Sequence, residues 1–295
     1  MSGSLSVREG NVVALDIGGT KMAVGVVSGS GKVLWNARSP TPPGGDAGGV
    51  WDTLASLLES VPGAFAPVAC GVGSGGPMSP GGEQVSPLNI PGWRDFPLRR
   101  RVAELTGLPT WVDNDAKALA LAEGWIGGAA GERDFIAMVV STGIGGGIVL
   151  DGRLLDGATG NAGHIGHVVV EPDGRRCECG GRGCLEAEAS GTAIAAVTGR
   201  PPSQAPTEVV DRTGRLVGRG VACVANLLDL RLAIVSGSVA LGFGEPFFEA
   251  AQREIDARAR IAFSRGCLIV PSKLGTEGPL IGAAAVAWRS LEGEG

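Results

Sequence analysis

Two hydrophobic periods share this chain. Alternating or continuous apolar runs read as strands: "NVVALDI" (11–17), "KMAVGVV" (21–27) and "KVLWNARSP" (32–40), separated by "GGT" and "SGSG" turns. "VWDTLASLLESV" then places Val50, Leu54, Leu57, Leu58 and Val61 at helical spacing. "PVACGVGSGG" (67–76) is a buried strand ending in glycines, "RDFPLRRRVAELTG" (94–107) a helix with a Gly stop, and "LPTWVDN" (108–114) a strand. "AKALALAEGWIGG" (116–128) is a helix with terminal glycines.

The pattern then starts again. "DFIAMVVSTGIGGGIVLDGRLL" (134–155) repeats strand, Gly turn, strand. "ASGTAIAAV" is helical, "RPPSQAP" a linker, and 207–229 one long helix. "RLAIVSGS" (231–238) is a strand, 245–259 a helix, "CLIVPS" (267–272) a strand, and "EGPLIGAAAVAWRSL" (277–291) a closing helix. "VALDIGGTKMAVGVV" faces "AMVVSTGIGGGIVL" across the two halves, and "CGVGSGG" faces "AIVSGSV". A weak internal duplication follows, with two α/β domains and a cleft between them expected. The expected division is 1–113 plus the closing helix at 278–295, then 114–277.

Composition sharpens this. With 295 residues the chain can bury a core without disulfides. Aromatic residues make up 4% and Tyr is absent, so the core must be aliphatic; 51 glycines point to close backbone approaches. A net charge of −5 with mixed signs and no basic run excludes nucleic-acid partners. "MSGSLSVREG" has no apolar leader segment, and "IGAAAVAW" is too short to span a bilayer, so a cytoplasmic protein off the membrane is expected. Cys70, Cys223 and Cys267 sit in apolar contexts and are expected to be buried.

Two Gly-rich hairpins carry candidate phosphate chemistry. "LDIGGTK" puts Asp16 at the end of a buried strand, followed by Gly18, Gly19, Thr20 and Lys21. Backbone N–H groups at glycines can approach an anion, Thr20 adds a donor, and Asp16 suits Mg²⁺ beside phosphates. It is not a P-loop spacing. "STGIGGG" offers Thr142, Gly143 and Gly145 in the matching place. Between them, "VDNDAKA" sets Asn114 and Asp115 where a strand enters a helix. That spacing fits plain helix capping, and it also fits a base for an acceptor hydroxyl.

"GNAGHIGHVVVEPDGRRCECGGRGCLE" (160–186) holds both histidines of the chain and Cys177, Cys179 and Cys184. Three thiolates with a His ten or thirteen residues upstream make a common structural zinc set. A catalytic zinc would keep an open position and use fewer thiolates.

Taken in order, "LDIGGTK", "VDNDAKALALAE", "STGIGGGIVLDGRL", the Cys–His loop through "CLEAEASG", and "GPLIGAAAVA" resemble the ROK family from Val12 to about Ala287. The resemblance is to its sugar-kinase branch, glucokinases and N-acetylhexosamine kinases. It implies an actin-like ATPase (ribonuclease H-like) fold with a sugar site in the cleft. It implies Asp115 as general base on a sugar 6-hydroxyl, Asn114 and Glu186 as sugar contacts, and Gly75, Gly76 and Asn89 along the pocket. It implies ATP with Mg²⁺ on the hairpins, Gly237 near the nucleoside, and His167 as fourth zinc ligand, also near the sugar. By the same analogy the protein is a homodimer that takes a sugar and ATP. The eleven residues before Val12 leave no room for the DNA-binding segment of ROK repressors, and the Cys cluster sets the chain apart from polyphosphate-using glucokinases.

Three departures stand out. His164, on the sugar wall, replaces the usual Glu; Ser236–Gly237–Ser238 replaces a run of glycines; and 189–207 is short. They frame an alternative: a weakly active or non-catalytic sugar-binding sensor.

Overall fold

The computed structural model describes residues 8–44 and 46–293. Residues 1–7, which carry most of the segment read as lacking a leader, and the last two residues of the closing helix expected over 278–295 lie outside the described residues.

In the first unit a meander of β1 (Asn11–Ile17), β2 (Lys21–Ser28) and β3 (Val33–Pro40) is followed by α1 (Ala47–Glu59), β4 (Ala69–Ser74), α2 (Leu98–Thr106), β5 (Thr110–Asn114) and α3 (Asp115–Trp125). The sheet order is β3-β2-β1-β4-β5; β1–β3 pair antiparallel, and β4 and β5 join in parallel. α2 begins at Leu98, four residues later than its hydrophobic pattern suggests. Pro97 precedes it, and the residue before a proline is held out of the helical region.

In the second unit the strands are β6 (Phe135–Val140), β7 (Ile144–Leu150) and β8 (Arg153–Leu154). Short helices α4 (Leu185–Ala189) and α5 (Gly191–Thr198) precede the long α6 (Thr207–Leu228), then β9 (Leu232–Ser236), α7 (Ser238–Phe243), α8 (Glu245–Arg258) and β10 (Leu268–Pro271). The chain closes on α9 (Gly278–Leu291), which returns to the first unit. The second sheet runs β10-β9-β6-β7-β8. Each strand therefore has a counterpart in the first sheet: β6–β8 match β1–β3, and β9 and β10 match β4 and β5. The two Gly-rich hairpins occupy the same place in both.

The first unit comprises residues up to Ile126, Asp156–Asn161 and the chain from Leu274; the second comprises Gly127–Leu155 and Ala162–Lys273. The division expected from the sequence lay after residue 113, ahead of α3. α3 belongs with the first unit because α9 lies against it at contact too close for side chains: a Cβ on Gly282 would come within 2.8 Å of the Ala118 backbone. α9 meets β4 in the same way, where a Cβ on Gly71 would fall 1.9 Å from the Ala283 carbonyl. The Gly- and Ala-rich composition of α9 thus replaces aromatic bulk with backbone proximity.

The first core gathers Leu15, Ile17, Met22, Leu54 and Leu98 around Trp93, which stacks on Phe96 at 4.2 Å. All six tryptophans (35, 51, 93, 111, 125 and 288) fall in the first unit. The second core is largely aliphatic, built on Ile136, Met138, Leu185, Val217 and Val221 together with the buried Phe247. Cys70 and Cys267 are buried as expected, but Cys223 is exposed: it lies on the outer stripe of α6, whose inner stripe carries Val217, Val221 and Val224. No helix among the described residues is long and apolar enough to cross a membrane.

Candidate active site and metal centre

In the first unit Asp16 is the penultimate residue of β1, and Gly18–Thr20 form the turn into β2. The Gly18 N–H donates to the Lys21 carbonyl (3.0 Å), so that donor serves the turn itself. The turn is braced by Thr41, whose hydroxyl donates to the Gly18 carbonyl (2.6 Å) and whose N–H donates to the Thr20 carbonyl (3.0 Å). Asn89 lies over Gly19 so closely that a Cβ there would meet its backbone at 2.7 Å. The same Asn89 amide reaches Gly75, and the Asn114 amide reaches Gly76, within 4 Å of where a Cβ would sit. Four sequence candidates, Gly19, Gly76, Asn89 and Asn114, are thereby brought to one place.

Asn114 caps α3, its Oδ1 accepting the Ala116 and Lys117 N–H groups. Asp115 is the first helical residue and also accepts the Ala116 N–H (2.8 Å). Capping and catalysis are therefore compatible: Asn114 does the capping and leaves Asp115 on the exposed side of the first turn. Burial pushes the Asp16 carboxyl up from 3.8 to about 7, and the nearby charge of Asp115 pushes the same way; Lys21 and Arg38 pull it down. Asp16 and Asp115 thus form a pair of carboxylates that repel until a cation or proton intervenes.

In the second unit the β6–β7 turn is held from behind by the start of α5. The Gly191 N–H donates to the Ser141 carbonyl (2.7 Å), and the Thr192 hydroxyl donates to the Thr142 carbonyl (3.0 Å). Ser141 Oγ lies 2.9 Å from Ser238 Oγ, beside Gly237. Gly237 has φ +103°, and a Cβ there would strike the Val140 carbonyl at 2.3 Å, so this residue joins the hairpin to the start of α7. Glu186 accepts the Ile144 N–H (2.8 Å) on Oε2 and crowds Gly143. The sequence kept Glu186 apart from the second hairpin; the fold puts them in contact.

The "GNAGHIGH" loop crosses β7 backbone to backbone, which accounts for the glycine run 145–147. A Cβ on Gly163 would lie 2.3 Å from the Gly146 carbonyl, and one on Gly166 2.2 Å from that of Ile144. The loop ends in a short 3₁₀ turn, Ile165–His167. The His164 and His167 rings lie 6.0 Å apart in near-parallel planes.

His167, Cys177, Cys179 and Cys184 bring their ligand atoms within 4.8 Å of one another. His167 Nδ1 lies 3.6 Å from Cys177 Sγ, and Cys179 Sγ 3.7 Å from Cys184 Sγ. A tetrahedral zinc with bonds of about 2.0–2.3 Å spaces its ligands about 3.5–3.8 Å apart, so the residues fit that ion. Burial raises the Cys177 thiol, and it raises that of Cys184 to about 12; the Gly181 backbone N–H is the main cause of a lowered Cys179. A cation is the group that can ionise such thiols together.

Beneath the loop, Glu188 of α4 is 3% exposed and accepts the Arg175 N–H (2.6 Å) and the Arg212 guanidinium (2.5 Å). Burial opposes its charge, but these partners outweigh it and hold the carboxyl below its ordinary range. Glu188 carries no local sequence signal, because its partners lie 13 and 24 residues away in the chain.

The ROK family model matches residues 12–290. The chain belongs to the ROK family. An N-acetylmannosamine kinase of Yersinia pestis (strain Pestoides F) is 39% identical over 260 residues, covering 80% of this chain and 85% of its own. The solved ROK glucokinase of Streptomyces griseus, in complex with glucose and AMPPNP, superposes with a TM-score of 0.82 at 30% identity, over 95% of this chain and all of that one. The ROK hexokinase of Thermus thermophilus gives 0.79 at 36% identity, over 96% and 99%. Two mixed five-stranded sheets of matching order are the actin-like ATPase fold, and this ROK protein falls in the sugar-kinase branch.

Proposed function

We propose that this ROK protein transfers the γ-phosphoryl group of ATP to the 6-hydroxyl of a hexose, either glucose or an N-acetylated hexosamine. The observation that carries this reading is Asp115, set by the Asn114 cap at the start of α3 and close enough to Asp16 to raise its pKa. The kinases of both sugar types among its relatives support the substrate class.

Asp115 takes the hydroxyl proton as the oxygen attacks the γ-phosphorus and the bond to the departing ADP breaks. A carboxylate at a helix N-terminus is a weak base, so it acts by orienting the hydroxyl as much as by basicity. Asp16 would face the Mg²⁺ that accompanies ATP, and that ion would supply charge neutralisation. Gly19, Thr20 and Lys21 serve the phosphates in the first unit, and Thr142, Gly143 and Gly145 in the second. Asn114, Asn89, Gly76, His164, His167 and Glu186 contact the sugar. His167 and the three cysteines hold a structural zinc that fixes the loop bearing His164 and the helix bearing Glu186. The same reading makes the protein a cytoplasmic homodimer, which light scattering in solution tests.

A coupled assay over a hexose panel, with ATP and with polyphosphate, decides the activity. ATP-dependent turnover on glucose or an N-acetylhexosamine is expected, at the order of 10 s⁻¹ common to enzymes. Asp115→Asn should lose at least about a hundredfold in kcat while still binding sugar; near-normal kcat would show the base to lie elsewhere. The alternative is a sugar-binding sensor. His164 favours it, because a neutral imidazole accepts one hydrogen bond where a carboxylate accepts two. Sugar binding without turnover on any member of the panel would establish that alternative.

A further inference from the structure

Lys117 is 2% exposed, among the most buried large side chains of the molecule. Its ammonium donates to Asp156 Oδ1 (2.7 Å) and the Gly160 carbonyl (3.1 Å), and lies 2.9 Å from Asp113 Oδ1. Three donors meet three acceptors, so the group has no remaining freedom. Arg289 of α9 closes the network, 2.7 Å from Asp156 Oδ2 and 3.8 Å from Asp113 Oδ2. All four residues belong to the first unit.

Asp113 is the last residue but one of β5, and its Oδ1 also accepts the Asn114 N–H (2.8 Å). The network therefore grips the backbone of the strand-to-helix elbow on which Asn114 and Asp115 stand. From the other side, the Asn161 amide spans Met78, accepting its N–H (3.4 Å) and donating to its carbonyl (3.1 Å). Asp156–Asn161 is thus a strap tied at one end behind Asp115 and at the other beside the Gly76 loop.

Stability alone is a poor explanation for such a network. Buried ion networks roughly break even against apolar replacements of similar shape. The rest of the buried face of α3 is nearly all apolar, with Ala116, Ala118, Leu119, Ala120 and Ala122. Burial pushes the Asp113 carboxyl up, and Lys117 is the main group pulling it back. A catalytic carboxylate is where geometric fixation matters, since a displacement of about 1 Å can cost about a hundredfold in rate.

We propose that Lys117 is a positioning residue for Asp115: with Asp113, Asp156 and Arg289 it locks the β5–α3 elbow so that the base meets the acceptor hydroxyl. The inference rests on Asp115 being the base. Lys117→Met in the full-length chain is expected to lower kcat about tenfold or more. The KM values for ATP and hexose should stay within about twofold, because the contacts of the substrates themselves are untouched. Lys117→Arg should recover most of the loss. A Lys117→Met protein that melts cooperatively and keeps kcat within about twofold overturns the inference.

Should Lys117→Met fail to fold, Asp156→Asn decides instead. Its side chain is 43% exposed, so the neutral amide is tolerated while one arm of the network goes. Reduced kcat with unchanged KM supports positioning, and unchanged kcat overturns it. Lys117 and its three partners also line a cavity of about 490 Å³ that admits small molecules. In Lys117→Ala, added ethylammonium should restore kcat; restoring Tm without kcat would mean a purely structural lysine. The two readings separate cleanly: an active Asp115→Asn removes the base and this inference together, whereas an inactive Asp115→Asn beside a fully active Lys117→Met removes only the inference.

Discussion

Asp16 shows how burial and a neighbouring charge make one carboxyl respond to pH near neutrality. Its pKa rises from 3.8 to about 7 through burial and the charge of Asp115. Between those values the folded chain holds a proton that the unfolded chain has released, so this group's contribution to stability is lost as pH rises through that window. Asp16→Asn should flatten that part of the stability–pH curve, read by chemical denaturation without Mg²⁺. On the proposed reading catalysis runs the opposite way, because a carboxyl that faces Mg-ATP must be ionised. The KM for Mg-ATP should rise as pH falls below about 7, and a flat profile would show that Asp16 does not face the metal. Much of this residue scale was legible in sequence. Asp16, Asn114, Asp115 and the four Cys–His ligands stand in short local motifs. Lys117 was not singled out, although its i,i+4 spacing from Asp113 in "DNDAK" was a usable signal. Asp156 and Arg289 gave none, since their partners are set by the tertiary fold.

Among the elements, the hairpins and the loop over β7 behave as backbone-to-backbone joints. The glycine run 145–147 signalled a turn in the sequence; its other use, to let the histidine loop lie flat on β7, depends on residues almost twenty positions later. Gly163→Ala meets both φ +97° and a 2.3 Å approach to the Gly146 carbonyl. It should destabilise the protein by about 1–3 kcal/mol, seen as a lower Tm, and raise the KM for sugar. Cys177→Ser should lose the metal and lower Tm by more than about 5 °C, since structural zinc binding is folding free energy. Metal analysis alongside the melt checks it: zinc lost with Tm intact would make the cluster dispensable. α4 and α7 carry no readable signal because each is under seven residues, too short to show a period.

At the scale of the molecule, one sheet plan is used twice and decorated differently. Its duplication was readable from the paired Gly-rich hairpins, whereas the membership of α3 and the 156–161 strap was not, because it rests on packing between distant segments. The first unit received the acid pair and the buried ion network; the second received the Cys–His cluster that the proposed zinc would occupy. Chelation should therefore raise hydrogen exchange over 164–192 and leave β1–β5 protected, and uniform loss of protection would contradict a local staple. The placing of every tryptophan in the first unit, in a chain without tyrosine, has an optical consequence. Light emitted on excitation near 295 nm comes from one half of the duplication only, while ellipticity at 222 nm draws on both. The native chain carries its own one-sided reporter, and a metal-stripped sample in which the second signal fades before the first would show, without any label, which half the zinc sustains.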